Sequence, residues 1–182
     1  MQTLSLPLSN QLLVLTAPHA AASMLLELTA RLSLSGELRV LDAGNRFNVY
    51  PVARTIRRYS AGLSAALARI QLARAFTCYQ VTTMLADMPC DDVRPLLVFD
   101  LLATFYDESV NLDESSRLLQ ACLVHLQRLS RSAPVVVSAR PPAPRRDGRT
   151  LLIETLQSAA SGAWQLEALP APSAPTLWEQ EA

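Results

Sequence analysis

Hydrophobic and polar positions along this chain follow two alternating patterns. Short runs that are apolar throughout are typical of buried strands, and longer stretches with apolar residues three and four positions apart are typical of helices. The short runs predict strands at residues 11–16, 37–42, 69–73, 95–100, 134–139 and 163–169. The longer stretches predict helices at residues 20–34, 51–60, 77–87, 113–132 and 150–160.

The alternation of strands and helices predicts an α/β fold with three layers. Strands that are apolar on both faces are typical of a mostly parallel sheet covered by helices on each side. Residues 1–169 suffice for one such domain, and the Pro-, Ala- and Ser-rich residues 170–182 are expected to form a flexible tail. Such sheets bind ligands at the carboxyl ends of their strands. In this sequence those ends carry Thr16, Asp42, Phe76, Asp100 and Ser138.

The charged residues are balanced and include no lysine. The 16 basic residues are all arginine and equal the acidic residues in number, so the formal net charge is zero. The molecule as a whole therefore exerts no net attraction on nucleic acid or membranes, and any such binding requires a local patch. No apolar run reaches about 18 residues, and the N-terminus lacks the basic region of a signal peptide. We expect a cytoplasmic protein without a membrane segment.

Cysteine and histidine offer little chemistry in this sequence. Cys78, Cys90 and Cys122 form no C-x-x-C pair and are expected to be reduced, acting as small hydrophobic residues. His19 and His125 are isolated along the chain, so we expect neither a metal site nor another cofactor.

Three segments together resemble a known family. Residues 42–47 read Asp-Ala-Gly-Asn-Arg-Phe, residues 74–85 begin Arg-Ala-Phe-Thr and contain Gln80, and residues 96–100 read Leu-Leu-Val-Phe-Asp. In their order and spacing these segments are similar to the ATPase core of the RecA/RadA recombinase family, over about residues 11–169. The resemblance implies a RecA-like fold in which Asp100 corresponds to the aspartate that holds magnesium.

The same resemblance implies a degenerate nucleotide site. The phosphate-binding loop of such ATPases reads Gly-x-x-x-x-Gly-Lys-Ser/Thr, and its lysine holds the β- and γ-phosphates. Here Thr16 and Ala21 replace the glycines, Ala22 replaces the lysine, and only Ser23 is retained. The glutamate that activates water in the family is also absent from the turn after Asp42. We expect no ATP hydrolysis from this set of residues. The degenerate site comprises Thr16, Ala21, Ala22, Ser23, Asp42 and Asp100.

Two groups of arginines are candidate DNA contacts, because the guanidinium fork suits phosphate groups. The first group lies in a proline-rich segment after the fifth predicted strand, where the resemblance places a DNA-binding loop. It comprises Arg140, Arg145, Arg146 and Arg149. The second group shares one side of a predicted helix. It comprises Arg54, Arg57 and Arg58. Four carboxylates after Asp100 would repel a phosphate backbone. They are Asp107, Glu108, Asp113 and Glu114.

Each candidate also has a purely structural interpretation. Asp100 would cap a neighbouring loop, Ser23 would be an ordinary residue of the first helical turn, and Phe76 is expected to fill the core. The arginines would lie on solvated surfaces.

Three hypotheses about function follow, each from a different class. The first is a non-catalytic RecA-like accessory protein of DNA recombination or repair, which binds single-stranded DNA, a partner recombinase, or both. The second is a regulator of cell division or repair that binds only protein. The third is an enzyme that binds nucleotide through Ser23, Asp42 and Asp100. The oligomeric state stays open, with a homodimer as one alternative.

Overall fold

Strands and helices alternate throughout residues 11–143 and 148–166, which are the residues described by this computed structural model. The strands are β1 Leu12–Thr16, β2 Leu38–Asp42, β3 Ile70–Arg74, β4 Leu96–Phe99, β5 Val135–Ala139 and β6 Gly162–Gln165. The helices are α1 Ala22–Ser35, α2 Val49–Tyr59, α3 Leu63–Ala68, α4 Cys78–Asp87, α5 Leu112–Leu129 and α6 Thr150–Ser158. A short 3₁₀ turn, Leu101–Thr104, follows β4.

All six strands form one parallel sheet in the order β3-β2-β4-β5-β1-β6. Helices α1, α2 and α3 pack on one face, against side chains such as Leu13, Val40 and Phe99. Helices α4, α5 and α6 pack on the other face, against side chains such as Val14 and Val98. The predicted three-layer α/β fold, with helices on both faces of a parallel sheet, is thereby confirmed, and the arrangement is consistent with a RecA-like fold.

The sheet is continuously apolar because both of its faces are covered. Every residue of β1, β2, β4 and β5 is buried, whereas most of β3 and β6 at the two edges is partly or fully exposed. This difference explains why the central strands are clear in the sequence and why residues 69–73 and 163–169 predict their strands less sharply.

Several helix ends differ from the predicted ones, and capping explains two of them. Helix α2 begins two residues before the predicted start because the Asn48 side chain accepts a hydrogen bond from the Tyr50 amide. Helix α5 begins one residue before the predicted start, and the Asn111 side chain caps it by accepting a hydrogen bond from the Glu114 amide at 2.8 Å. The Thr77 side chain caps α4 by accepting from the Gln80 amide, and the Gly36 amide ends α1 by donating to the Leu32 carbonyl. The short helix α3 has only six residues and was not predicted.

Part of the sequence lies outside the described residues. This part includes the predicted tail at residues 170–182, the end of the last predicted strand, and the candidate DNA contacts Arg145 and Arg146. Within the described ranges, no helix combines the length and apolar character needed to cross a bilayer.

Candidate functional site

The candidate site lies where the chain changes direction at the carboxyl ends of neighbouring strands. The chain leaves β2 toward the face that carries α2, whereas it leaves β3 and β4, on either side of β2, toward the opposite face. Loops that part in this way leave a crevice at the sheet edge, which is the usual ligand position in open parallel sheets. Asp42 ends β2, and Asp100 directly follows β4.

Asp42 is fully buried and organises the loop that follows its own strand. Its Oδ1 accepts the Arg46 amide at 2.8 Å, and its Oδ2 accepts the Phe47 amide at 3.0 Å. Its Oδ2 also accepts Nε of Arg74, at the end of β3, at 3.1 Å. A buried carboxylate needs such partners, since an unpaired charge in the interior is costly.

Asp100 is also fully buried and joins the exits of three strands. Its own amide donates to Oγ of Ser138 in β5 at 3.0 Å, and its Oδ1 accepts the Arg140 amide at 3.3 Å. Its Oδ2 lies 3.3 Å from Nε of Arg46 and 3.4 Å from Nε of Arg140. The residue adopts the left-handed conformation with φ of 48°, which turns the chain sharply after β4.

Gly44 allows the two carboxylates to share one site. A methyl group at Gly44 would lie 2.4 Å from Cβ and 2.8 Å from Oδ2 of Asp100, closer than real side chains approach. The loop after β2 therefore passes directly against Asp100 because its second residue has no side chain. The carboxylate–arginine cluster, as we name it, consists of Asp42, Asp100, Arg46, Arg74 and Arg140.

The side chains of this cluster do not form a magnesium site. A magnesium site needs carboxylate oxygens and water around a small dication. Here the guanidinium groups of Arg46 and Arg140 already lie beside Oδ2 of Asp100 and would repel a magnesium ion. Elsewhere in the described ranges, no three His, Cys, Asp or Glu side chains are grouped closely enough to hold a metal ion.

The loop between β1 and α1, which was predicted to be a degenerate phosphate loop, folds onto the core. Thr16 is buried, and its Oγ1 accepts Nε2 of Gln157 at 3.0 Å. Ala20 and Ala21 are buried and left-handed, with φ of 53° and 46°. Alanine adopts this conformation at a cost of about 1 kcal/mol, whereas glycine adopts it freely.

Backbone amides of the same loop are used within the protein. The amides of Ala17, Ala20 and Ala22 donate to the carbonyl oxygens of Ala139, Ala17 and His19 at 3.1, 2.9 and 3.2 Å. A phosphate cradle presents such amides to its ligand. Ser23 lies exposed in the first turn of α1.

The arginines at the two ends of the predicted DNA-binding loop have different environments. Arg140 belongs to the carboxylate–arginine cluster, and its carbonyl accepts the Tyr106 hydroxyl at 3.0 Å. Arg149 is buried, and its guanidinium donates to the carbonyl oxygens of Phe105, Asp107 and Val110. The candidate assignment of Arg149 as a surface phosphate contact therefore needs correction, because its donors are turned inward to backbone oxygens.

The second group of candidate DNA contacts lies on the outer side of α2. Arg54, Arg57 and Arg58 are all exposed, while Val52 and Ile56 of the same helix are buried against the sheet. None of the three arginines forms an ion pair with another described residue, so their surroundings are compatible with a solvated helix face as well as with a ligand surface.

Phe76, which was expected to fill the core, is on the surface. Its side chain is 72% exposed, although its neighbours Ala75 and Cys78 are buried. The Phe76 amide donates to Oε1 of Gln80 at 2.7 Å, and this bond holds the backbone between β3 and α4. The expectation was wrong because the apolar pattern of the segment continues past the strand to a residue that points away from both cores.

The acidic segment after β4 is partly neutralised. The Arg117 guanidinium donates a hydrogen bond to the Glu114 carboxylate at 2.7 Å on the surface of α5. This bond lowers the pKa of Glu114. Asp107, Glu108 and Asp113 are exposed. The pairing of Glu114 means that the segment carries less uncompensated charge than the sequence indicates.

The cysteines are in two kinds of environment. Cys78 and Cys122 are buried, as expected for small hydrophobic residues, and burial raises the pKa of Cys122 to about 11. Cys90 is exposed, which corrects the expectation for this residue, and its sulfur accepts a hydrogen bond from Nη1 of Arg128 at 2.7 Å.

No protein-family model matches this chain, and no curated protein matches it with significant similarity.

Sequence reasoning identified Asp42, Asp100 and Arg140 as site residues but missed Arg46 and Arg74. Arg46 lies inside the Asp-x-Gly-containing turn that carries the resemblance, and Arg74 occupies the strand position that pairs with Asp42. Arg74 becomes identifiable only once the strand order is known, because a parallel pair β2–β3 places the residue at the end of β3 beside Asp42. Of the other candidate arginines that the structure describes, Arg54, Arg57 and Arg58 lie on α2, and Arg149 is buried at the start of α6.

Proposed function

We propose that this chain is a non-catalytic RecA-like accessory protein of DNA recombination or repair. It binds single-stranded DNA, a partner recombinase, or both, without hydrolysing ATP. The observation that supports this proposal best is that arginine side chains surround the Asp100 carboxylate, which the resemblance makes the magnesium ligand. Two guanidinium groups lie at 3.3 and 3.4 Å from its Oδ2, in the place where an ATPase needs a dication.

The loop after β1 supports the same proposal. Phosphoryl transfer needs a backbone cradle, a lysine charge and a metal that act together. The chain has no lysine, and three loop amides donate to carbonyl oxygens of the protein. Binding functions that use arginine do not need any of these elements.

Fluorescence anisotropy with labelled single-stranded and double-stranded DNA tests the proposal across a salt series, with and without ATP and magnesium. We expect single-stranded DNA to bind with an affinity that ATP does not change. The affinity should fall steeply as the salt concentration rises, because phosphate contacts release counterions. A purified RecA-family recombinase in a co-sedimentation assay tests the second arm. The proposal is wrong if the protein binds neither DNA nor the recombinase.

A regulator that binds only protein is the second candidate, and one surface favours it. Val124 on α5 and Leu151 on α6 are 63% and 52% exposed. A shallow groove between these helices is lined by Leu123, Leu151 and Ala159 together with polar residues. Replacing Arg145 and Arg146 by alanine, with the buried Arg149 left intact, separates the hypotheses. A wild-type protein that binds no DNA in any of these assays would favour the regulator, whereas a loss of DNA affinity in the double variant would favour the accessory protein.

The enzyme hypothesis has its own test. If the purified protein hydrolyses ATP and the rate disappears in Asp100→Asn, the non-catalytic proposal is overturned. We expect no hydrolysis in either protein, because neither a lysine nor an open metal position stands beside Asp100.

A further inference from the structure

The arginines of the carboxylate–arginine cluster use only part of their hydrogen-bonding capacity. In Arg46, Arg74 and Arg140 alike, it is Nε that faces the buried carboxylate. No hydrogen bond joins the Nη atoms of these three side chains to another part of the described chain. Each guanidinium group therefore faces a carboxylate through Nε, and the N–H donors of its two Nη atoms, which form its outer edge, can bind a ligand.

These outer edges reach solvent together. The side chains of Arg46, Arg74 and Arg140 are 34%, 35% and 39% exposed, whereas both carboxylates are fully buried. Three positive groups thus cover two negative ones, and the surface that a ligand meets is cationic. A fork of donors that is already oriented loses little rotamer freedom on binding an anion, and phosphate oxygens match its geometry.

An exposed aromatic ring lies two residues beyond Arg74. Phe76 follows the same strand exit, and its backbone is fixed by Gln80 and by the Thr77 cap of α4. A large apolar ring that is 72% exposed on a fixed backbone is suited to stack on a nucleobase. Guanidinium groups and an aromatic ring at one edge form the combination with which proteins bind single-stranded nucleic acid without reading its sequence.

We propose that the carboxylate–arginine cluster binds consecutive phosphates of single-stranded nucleic acid and that Phe76 stacks on one of its bases. This inference rests on the proposed function and assigns its nucleic-acid contact to a specific edge of the sheet. The exposed arginines of α2 are the contrasting surface. There the guanidinium of Arg58 lies 6.0 Å from the ring centre of Tyr59, and no buried carboxylate of the described residues pairs with any of the three arginines.

Binding of a fluorescein-labelled oligothymidylate at low salt provides the test, with Phe76→Ala as the first variant. We expect affinity to fall about 5- to 100-fold, since stacking on an aromatic side chain contributes that much per base. Tyr50→Ala is the matched control, because Tyr50 on α2 is an aromatic residue of similar exposure, at 80%. We expect the control to bind like the wild-type protein.

Arg74→Gln tests the phosphate contact. We expect weaker binding and a salt slope smaller by about 0.7, the value for one lost phosphate contact to a single strand. Arg57→Gln removes the same charge from α2 and is expected to change neither quantity. If Arg74→Gln fails to fold, because Asp42 loses its partner, Phe76→Ala still decides the question. An abasic oligonucleotide of equal length tests stacking from the ligand side and should bind wild-type protein and Phe76→Ala equally.

The outcomes separate this inference from the proposed function. If wild-type protein binds the oligothymidylate and both Phe76→Ala and Arg74→Gln bind it equally well, the cluster is not the site, while DNA binding itself stands. If wild-type protein does not bind at low salt, both the inference and the DNA arm of the proposed function fail.

Discussion

Among single residues, Gly44 is under the tightest steric constraint in the carboxylate–arginine cluster. We expect Gly44→Ala to lower the free energy of unfolding by about 1–3 kcal/mol, the usual cost of forcing a methyl group into filled space. The clash is with Cβ of Asp100 at 2.4 Å, and this backbone-near atom cannot swing aside. Urea denaturation followed by circular dichroism measures the change.

Gly36→Ala is the matched control for that substitution. Gly36 ends α1 with an extended backbone, and a methyl group there would meet no atom within 4 Å. We expect the stability to stay within about 1 kcal/mol of the wild-type value. Equal stability of both variants would show that the loop after β2 does not need the close approach of Gly44 to Asp100.

At the scale of elements, Arg149 joins the start of α6 to the segment between β4 and α5. We expect Arg149→Met to lower the free energy of unfolding by about 2–4 kcal/mol, because the carbonyl oxygens of Phe105, Asp107 and Val110 would lose the hydrogen bonds from this guanidinium. The apolar stem would keep its packing. Thermal and urea unfolding measure the loss.

Arg57→Met removes the same charge from an exposed position of α2 and should alter stability by no more than about 0.5 kcal/mol. If Arg149→Met keeps the wild-type stability but clearly loses DNA affinity, Arg149 is a phosphate contact after all, as the sequence predicted.

A second link between elements joins the start of β2 to the turn before β4. Asp92 lies 3.2 Å from Nη1 of Arg39 and 2.6 Å from Nη2 of Arg94. The hydrogen bond from Arg94 holds the pKa of Asp92 at about 2, below its usual 3.8. A lowered pKa means that the folded state favours the ionised carboxylate, with a contribution of about 2 kcal/mol at neutral pH.

The sign of this shift predicts a pH dependence. The contribution of Asp92 is complete above about pH 5 and disappears as the pH falls through about 2, because the unfolded chain takes up the proton first. We expect Asp92→Asn to lose about 2 kcal/mol at pH 7 and about half as much at pH 3, measured by urea unfolding at both values. Asp91→Asn, at the exposed neighbouring position, should lose little at either pH. An equal loss by Asp92→Asn at both values would contradict the link.

At the scale of the whole molecule, stability is expected to be graded across the sheet. Strands β4 and β5 pair on both sides and are buried throughout. Within the described residues, β3 pairs only with β2 and β6 pairs only with β1. Hydrogen exchange followed by mass spectrometry should find amides of β3 and β6 exchanging at least about tenfold faster than those of β4 and β5. Uniform protection would mean that the sheet opens only as one unit.

The fold was accessible from the sequence because its strands are buried on both faces. Continuous apolar runs such as residues 95–100 and 134–139 have few alternatives in an α/β chain, and each one became a central strand. The edge strand β3 and the short helix α3 carry weaker patterns, since exposed positions accept polar residues and six residues scarcely fill two turns.

The sequence by itself determined the α/β class, the absence of a lysine for a phosphate loop, and the carboxylates Asp42 and Asp100 at strand ends. These features depend on local pattern and composition, which need no knowledge of distant contacts. Only the tertiary structure decided which arginines meet those carboxylates, that Arg149 is buried, and that Phe76 is exposed. Such pairings depend on the order of strands in the sheet, which brings together residues more than 30 positions apart and which no local pattern specifies.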